Sequence, residues 1–305
     1  MISADHQIPA RLKTGDTIGV VAPASGFDRD LFAQGLRRLQ NFGFKTVVPE
    51  AIFEKNGYLA GSDGQRARLI NRMFADPNID GIICARGGYG AMRILPLLDY
   101  EQIGRHPKLF MGFSDITALL NTLYQRCRLV TFHSPVVTSL ATASVETRTA
   151  FLKAIGSAEA LSLKASQGVV ISPGQAQGPV VGGNLTLLAH LLGTPFAPDF
   201  EGAIVVLEDQ GEAPYRIDRL LTQMMLAGSF QRAAGIVLGS FSGCGGSQTV
   251  LSVFRDVFSD LKAPILSGLD VGHNRHNLTL PIGQIAHLDT DRSLLTYQAP
   301  ATRSV

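Results

Sequence analysis

The stretch Lys108-Leu-Phe-Met-Gly-Phe-Ser-Asp-Ile-Thr117 decides the fold prediction for this chain. Its apolar run at 109–111 predicts a buried strand that stops at Gly112, and the apolar spacing of residues 116–124 predicts a helix. Ser114 therefore falls on a tight turn between a strand and a helix, where backbone N–H groups are free. Such a serine is either a nucleophile beside an oxyanion site or only the cap of the helix.

Strand-like and helix-like segments alternate around this turn. Residues 17–22 and Gly81–Cys84 are predicted strands, and the apolar spacing of residues 28–42 and 63–74 predicts helices. This alternation predicts an α/β fold whose N-terminal part is a mostly parallel, doubly wound sheet. Functional groups are then expected at the carboxyl ends of the strands.

The second half of the chain differs from the first in its predicted strand arrangement. Strand and helix patterns continue from residue 180, and the tail over residues 278–297 predicts antiparallel β structure. Small and polar residues dominate between residues 157 and 178, which predicts a linker. We therefore expect an N-terminal α/β domain at 1–156, a linker at 157–178 and a C-terminal α/β domain at 179–305, with the active site between the two domains.

Composition excludes several classes of protein. The 305 residues are 45% hydrophobic and 17% charged, and 27 basic against 25 acidic residues leave a formal charge of +2. No basic stripe or long apolar stretch is present, so neither nucleic acid nor membrane is an expected partner. The three cysteines are widely spaced and the N-terminus lacks a secretory pattern, which predicts free thiols in a cytoplasmic protein.

A serine nucleophile needs a base, and two histidines are placed to supply one. His273 and His276 lie in a loop rich in Gly and Asn, of the kind that presents side chains. Their spacing could also indicate a metal pair, but no acidic cluster or H-E-x-x-H pattern supports one. Glu208 and Asp209 follow a predicted buried strand, where they either serve the active edge of the sheet or only cap a turn.

The loop Arg86-Gly-Gly-Tyr-Gly90 follows another predicted strand. The guanidinium of Arg86 and the amides of Gly87 and Gly88 suit a carboxylate or an oxyanion. A phosphate cradle is the competing interpretation, although the pattern G-x-x-x-x-G-K-[ST] is absent.

Several ordered motifs along nearly the whole chain resemble the LD-carboxypeptidase family, which are serine peptidases of the muramoyl-tetrapeptide carboxypeptidase type. They include Ile18-Gly-Val-Val-Ala-Pro-Ala-Ser25, Ala85-Arg-Gly-Gly-Tyr-Gly90, Gly112-Phe-Ser-Asp-Ile-Thr117, Gly182-Gly-Asn-Leu-Thr186, Leu207-Glu-Asp209 and Gly272-His273. The resemblance implies a nucleophile-bearing N-terminal domain and a C-terminal domain that carries the Glu and the His.

The resemblance implies a catalytic triad of Ser114, Glu208 and His273. Its oxyanion donors map onto the backbone N–H groups of Asp115 and of Gly87 or Gly88. We expect Arg86 to bind the terminal carboxylate of the substrate. Asp270 stands where the family is typically apolar, so it competes with Glu208 as the partner of His273.

The implied activity is release of terminal D-Ala from the murein tetrapeptide, by cleavage of an L,D-peptide bond during cell-wall recycling in the cytoplasm. The expected partner is a small peptide, free or sugar-linked, the expected assembly is a homodimer, and no metal or organic cofactor is implied. Two alternatives stay open. One is a family member that hydrolyses peptide-nucleotide antibiotics for self-immunity, although the chain has no Trp for a nucleotide pocket; the other is a catalytically silent peptide-binding protein.

Overall fold

A computed structural model describes residues 6–304 of the chain. Fourteen strands are present in these residues: β1 (Thr17–Val21), β2 (Lys45–Val47), β3 (Gly81–Cys84), β4 (Leu109–Gly112), β5 (Thr131–His133), β6 (Ser162–Lys164), β7 (Val169–Ser172), β8 (Gln175–Asn184), β9 (Ile204–Gln210), β10 (Gly235–Ser242), β11 (Ile265–Ser267), β12 (Leu280–Ile282), β13 (Ile285–Asp289) and β14 (Leu294–Tyr297). Ten α-helices accompany them: α1 (Arg29–Asn41), α2 (Asp63–Ala75), α3 (Ala91–Ile94), α4 (Tyr100–Arg105), α5 (Thr117–Cys127), α6 (Val137–Leu140), α7 (Val145–Gly156), α8 (Leu185–His190), α9 (Pro214–Leu226) and α10 (Ser247–Val257).

The first sheet has six strands in the order β12-β5-β4-β3-β1-β2. Its five strands from the first half of the chain are all parallel. The residues of β3 and β4 are buried throughout, as expected for parallel strands covered on both faces. Because parallel strands end at the same edge, the loops after β1, β3 and β4 converge there.

Local sequence signals explain where the first helices begin. Asp28 caps α1 by accepting hydrogen bonds from the backbone N–H groups of Asp30 and Leu31. Ser62 and Gln65 form a capping box at the start of α2, which satisfies two otherwise free N–H donors. Both helices therefore lie close to their predicted positions.

The second sheet has eight strands in the order β6-β14-β13-β8-β9-β10-β11-β7. Its centre, from β8 to β11, is parallel, whereas β6, β14, β13 and β7 pair in antiparallel fashion. The predicted α/β fold, with a mostly parallel N-terminal sheet and antiparallel strands in the C-terminal part, is therefore confirmed.

Two details differ from the sequence analysis. The segment 157–178 was predicted as a linker, but it contains β6, β7 and the first residues of β8, all in the second sheet. β6 and β7 are the two edges of that sheet. β6 has a single apolar residue, Leu163, whereas the β-branched run Val169-Val170-Ile171 of β7 is a strand signal that the linker prediction overlooked. In addition, β9 extends to Gln210, so Glu208 and Asp209 lie inside the strand and not after it.

Strand β12 connects the two halves of the chain. It comes from the C-terminal part but pairs antiparallel with β5 at the edge of the first sheet, with Leu280 opposite His133. A second connection joins α5 to β8, since Asn121 donates to the Gly182 carbonyl at 3.0 Å and accepts from the Gly182 N–H at 2.9 Å. The two sheets are thus held together by backbone pairing and by buried polar contacts.

Two further predictions concern the state of the cysteines and membrane-spanning segments. Cys84, Cys127 and Cys244 are all free and buried. Within residues 6–304, none of the helices combines the length and the apolar character that a membrane crossing requires.

Candidate active site

Ser114 lies on a strained turn at the carboxyl edge of the first sheet. Strand β4 ends at Gly112, a short 3₁₀ turn occupies Ser114–Ile116, and α5 follows at once. The φ angle of Ser114 is +65°, in the left-handed region that non-glycine residues rarely adopt. Its hydroxyl makes no helix-capping hydrogen bond, so the capping interpretation is wrong. The turn instead directs the Oγ toward the second half of the chain.

The partner of that hydroxyl is the imidazole of His273. Ser114 Oγ lies 3.0 Å from His273 Nε2, and His273 Nδ1 lies 2.7 Å from Glu208 Oε2. The Glu208 side chain is fully buried, while that of His273 is 15% exposed. Hydroxyl, imidazole and carboxylate thus form one hydrogen-bonded chain, the arrangement that activates a serine for nucleophilic attack.

The carboxylate of Glu208 controls the charge of His273. Burial by itself lowers the pKa of His273, but the hydrogen bond and the negative charge of Glu208 outweigh it, so the net pKa is raised above 6.5. The backbone N–H of His273 also donates to Glu208 Oε2 at 3.3 Å. These contacts stabilise the imidazolium that forms when the ring accepts a proton.

Glycines permit the close approach of the His273 loop to β9. Gly272 has a φ of +103°, and a Cβ there would lie 2.8 Å from Glu208 Cδ and would also collide with Oε2. A Cβ on Gly239 of β10 would lie 3.2 Å from Glu208 Cβ and 2.6 Å from the Val271 carbonyl. Glycine at these positions leaves the space in which the carboxylate contacts the imidazole.

The two adjacent acids of β9 have different partners, because successive side chains of a strand point to opposite faces. Asp209 accepts hydrogen bonds from Asn184 Nδ2 at 3.0 Å and from the Thr186 backbone N–H at 2.9 Å, at the start of α8. Asp270 makes no side-chain hydrogen bond within the described residues, and its carbonyl accepts from the Leu278 N–H at 2.7 Å. Glu208 is therefore the acid in contact with His273.

The glycine-rich loop after β3 packs directly on Ser114. A Cβ on Gly87 would lie 2.9 Å from Ser114 Cβ, whereas one on Gly88 would lie 2.7 Å from Ser25 Cβ. Within residues 6–304, the backbone N–H groups of Gly87, Gly88 and Asp115 donate no hydrogen bond to another protein group. Free N–H groups beside a nucleophile can stabilise an oxyanion.

The side chain of Asp115 has a separate role in this loop. Its Oδ2 accepts a hydrogen bond from the Ala91 backbone N–H at 2.7 Å, which ties the start of α3 to the Ser114 turn. Burial raises the pKa of Asp115 to about 6, although hydrogen bonds from Ala91 and Gly90 act in the opposite direction. Sequence reasoning identified only the backbone of this residue and missed its carboxylate.

Arg86 and a small cavity lie near the Ser114 turn. Arg86 is exposed, and its Nη1 donates to the Gly26 carbonyl at 2.8 Å. A cavity of about 160 Å³ is lined by Phe113, His273 and Asn277, among others. The exposed guanidinium of Arg86 and the cavity beside the imidazole of His273 are both available to a ligand.

His276, the second histidine of the loop, points away from this chain of contacts. Its Nδ1 lies 3.0 Å from Ser144 Oγ and 3.6 Å from Glu146 Oε2, at the beginning of α7. No cluster of three or more His, Cys, Asp or Glu side chains suited to a metal occurs in residues 6–304. The two rings contact different partners: His273 contacts Ser114 and Glu208, and His276 contacts Ser144.

Sequence reasoning missed His133 as part of this site. The residue ends β5 and is only 1% exposed, and its ring packs edge-on against Phe113 with centroids 5.8 Å apart. Phe113 in turn packs against His273 with a centroid distance of 4.8 Å. One signal was present, because His133 follows an apolar run at a strand's end, much as Ser114 does.

Comparison with known proteins relates both halves of the chain to one family. Residues 18–134 match the LD-carboxypeptidase N-terminal domain, and residues 177–288 match the LD-carboxypeptidase C-terminal domain. The first range includes Ser114, and the second includes Glu208 and His273. Ser114, Glu208 and His273 thus all lie in ranges that match the family.

Three individual proteins illustrate this similarity. A Bacillus subtilis protein named a probable murein peptide carboxypeptidase is 35% identical, over 95% of this chain and 94% of the relative. The microcin C7 self-immunity protein MccF of Escherichia coli is 29% identical, over 95% of each chain. The crystal structure of muramoyltetrapeptide carboxypeptidase from Oxalobacter formigenes superposes with a TM-score of 0.82 at 29% identity, covering 92% of this chain and 97% of that one.

Proposed function

Since this chain belongs to the LD-carboxypeptidase family of serine peptidases, we propose that it releases the terminal D-Ala of the murein tetrapeptide by cleaving an L,D-peptide bond. One observation carries the proposal: Ser114 Oγ, His273 and Glu208 form a continuous hydrogen-bonded chain with distances of 3.0 and 2.7 Å. The reaction removes one residue from the end of a cell-wall peptide during its recycling.

In the proposed reaction Ser114 Oγ attacks the scissile carbonyl and its proton passes to His273 Nε2. The resulting imidazolium is stabilised by Glu208, which keeps the Nδ1 proton in place. The C–N bond then breaks, and His273 gives the proton to the departing amine of D-Ala. A water molecule, deprotonated by the same imidazole, hydrolyses the acyl-enzyme and restores the Ser114 hydroxyl.

We propose that the oxyanion of each tetrahedral intermediate binds the backbone N–H of Asp115 and an N–H of the Gly87–Gly88 loop. The close packing of Gly87 against Ser114 supports this assignment, as does the lack of a hydrogen-bond partner for the N–H groups of Gly87, Gly88 and Asp115 within residues 6–304. Removing one such donor from an enzyme typically costs about 10²–10³-fold in kcat.

We further propose that Arg86 binds the terminal carboxylate of the substrate. Its guanidinium is exposed beside the proposed oxyanion loop and can form a bidentate contact with a carboxylate. Recognition of a free carboxylate restricts cleavage to the last peptide bond, so it would account for exopeptidase activity.

The test is D-Ala release from purified murein tetrapeptide, with the same peptide ending in L-Ala as the substrate control. We expect release only from the D-Ala peptide, and its loss in Ser114→Ala. Ser293→Ala is the matched protein control, because Ser293 also has a positive φ, of +52°, but lies on the β13–β14 turn. Equal rates in the Ser114→Ala and Ser293→Ala variants would refute the role of Ser114.

The similarity to the microcin C7 self-immunity protein makes a peptide-nucleotide conjugate the second substrate in this assay. Hydrolysis of the conjugate with no release of D-Ala would replace the recycling function by a self-immunity function. Binding of tetrapeptide with no hydrolysis of either substrate would support a catalytically silent peptide-binding protein.

We infer that the protein works in the cytoplasm as a homodimer of two-domain subunits. The three free, buried thiols are typical of a reducing compartment, which supports the location. The homodimer is proposed from the family resemblance, and light scattering on the purified protein tests it. The domain boundary is proposed near residue 157, with β6 and β7 assigned to the C-terminal domain.

A further inference from the structure

Arg66 is a charged side chain buried beside the loops of the candidate active site. It lies on α2 and is only 1% exposed, whereas Arg68, two residues later on the same helix, is exposed. An arginine is rarely buried unless its charge is paired and hydrogen-bonded, because removing the charge from water is costly. The partners of the buried guanidinium therefore indicate its role.

The guanidinium joins two loops at the carboxyl edge of the first sheet. Its Nη1 donates to the Pro23 carbonyl in the loop after β1, and to the Gly90 carbonyl at 2.9 Å in the loop after β3. A Cβ on Gly90 would lie 2.9 Å from Nη1, so the lack of a side chain there admits the guanidinium. The other terminal nitrogen, Nη2, pairs with Asp63. One charged side chain thus holds both loops, while Asp63 balances its charge.

The peptide group between Gly90 and Ala91 is held from both sides. Its carbonyl oxygen accepts from Arg66, and its N–H donates to Asp115 Oδ2 at 2.7 Å. The positive charge of the guanidinium strengthens the first of these bonds. Asp115 directly follows Ser114 in the chain. The two side chains therefore fix the orientation of this peptide group relative to the turn that carries the reactive hydroxyl.

The loop that is held in this way contains proposed oxyanion donors. Gly87 packs against Ser114, since an added Cβ would lie 2.9 Å from the Cβ of the serine. Ser25, in the loop after β1, donates its backbone N–H to the Gly87 carbonyl at 3.3 Å, and its Oγ accepts from the Tyr89 N–H at 3.0 Å. Because Arg66 binds the loop after β1 as well, it supports the glycine-rich loop directly and through this neighbour.

We propose that Arg66 is a positioning residue of the active site, which holds the N–H groups of Gly87 and Gly88 in place for the oxyanion. This role deepens the proposed function and rests on it. The guanidinium acts through the Gly90–Ala91 peptide group and the loop after β1. Oxyanion donors stabilise a transition state because they are aligned in advance, and a misplacement of about 1 Å can cost about 100-fold in rate.

The test is Arg66→Lys, which keeps the positive charge but replaces the planar fork of Nη1 and Nη2 by a single nitrogen. We expect the ammonium to stay paired with Asp63 and to lose the Gly90 carbonyl. The value of kcat for D-Ala release should then fall by about 10- to 100-fold, with KM changed less than about threefold, since the oxyanion forms only after binding. The backbone amide NMR signals of Gly87 and Gly88 should also shift in the substrate-free protein.

Two control variants on α2 separate positioning from stability. Arg68→Lys makes the same substitution at an exposed position and should leave kcat and the loop signals unchanged. Met73→Ala lowers the melting temperature by opening a cavity. Met73 is 6% exposed and packs against Gly19 of β1, where an added Cβ would lie 2.6 Å from its Sδ. It lies about two turns from Arg66, so this variant should keep kcat within about threefold of the original value.

Three results would overturn the role of Arg66. The first is a folded Arg66→Lys protein whose kcat stays within about threefold of that of Arg68→Lys. The second is unmoved amide signals of Gly87 and Gly88 in that protein. The third is an equal loss of kcat in Met73→Ala, which would assign the effect to the stability of α2.

A second variant tests the same contact from the side of the loop, in case Arg66→Lys does not fold. In Gly90→Ala the added Cβ would lie 2.9 Å from Arg66 Nη1, and an unchanged kcat there would also overturn the role. The NMR readout requires no substrate. Shifted signals of Gly87 and Gly88 in Arg66→Lys, with no D-Ala release by the unmodified protein, would therefore contradict the proposed function and leave the link between Arg66 and the loop intact.

Discussion

Substitution of Gly272 by alanine is predicted to break the contact between Glu208 and His273 while all three reactive side chains remain. A Cβ at Gly272 would lie 2.8 Å from both Cβ and Cδ of Glu208. Carbon atoms in contact are normally at least about 3.5 Å apart, so the carboxylate must retreat by about 0.7 Å. Added to the present Nδ1···Oε2 distance of 2.7 Å, that shift exceeds the range of a normal hydrogen bond.

The expected consequence is a large loss of activity with a modest loss of stability. An imidazole without its orienting carboxylate costs up to about 10⁴-fold in kcat in serine proteases, and we expect a decrease of about 10²–10⁴-fold here. The positive φ of Gly272, +103°, adds about 1–3 kcal/mol of backbone strain in the alanine variant. This amount lowers the melting temperature by several degrees but leaves the protein folded.

The assay measures kcat/KM for D-Ala release, together with circular dichroism and thermal unfolding. Gly193→Ala is the matched control, because Gly193 has a φ of +76° and nothing within 4 Å of its added Cβ. It should show similar strain and nearly full activity. If Gly272→Ala kept kcat/KM within about threefold of Gly193→Ala, the contact of Glu208 with His273 would not be required for catalysis.

Three further predictions follow from the same site. Glu208 raises the pKa of His273 above 6.5, so kcat/KM should rise with pH through that pKa. The stability that protonation of His273 contributes should be fully present below about pH 6.5 and lost as pH rises through the folded-state pKa. Glu208→Gln should move the midpoint of the kcat/KM profile to lower pH, and an unmoved midpoint would disprove the coupling. Burial raises the pKa of Asp115 from 3.8 to about 6, so the folded state binds its proton more tightly and stability should fall as pH rises between those values. Asp115→Asn, which keeps an acceptor for Ala91, should remove this fall between about pH 4 and 7 in urea unfolding, and parallel stability curves for the two proteins would contradict this. Arg86→Lys should raise KM for the tetrapeptide about tenfold or more by loss of the bidentate contact, and an unchanged kcat/KM would exclude the carboxylate-binding role.

The turn around Ser114 could be predicted because its signals are local. An apolar run, a glycine stop and a helical spacing lie within seventeen residues of one another, and each depends only on nearby side chains. The roles of Glu208 and Asp209 could not be separated in this way. Their assignment depends on which face of β9 each occupies, and the strand proved longer than its apolar run.

Long-range features were the least predictable. The three residues of β12 include Pro281 and would fit either sheet, and only the position of β5 in space decides their partner. His133 was missed for a related reason, because a single histidine after an apolar run has no meaning until its contact with Phe113, and that of Phe113 with His273, are known. Edge strand β6 is only three residues long with one buried residue, Leu163, which is too short for a pattern to be recognised, whereas the run Val169–Ile171 of β7 was a signal that the linker prediction overlooked.

The crossing of β12 into the first sheet has a consequence for how the protein can be divided. A polypeptide cut near residue 157 would leave the front fragment with the Ser114 turn but with β5 as a bare edge, lacking the strand that covers it. The C-terminal fragment would keep Glu208 and His273 but would lack β5, the strand with which Leu280–Ile282 pairs. We expect such halves to be inactive alone and to regain hydrolysis when co-expressed, because the pairing of β12 with β5 can also form between two separate polypeptides.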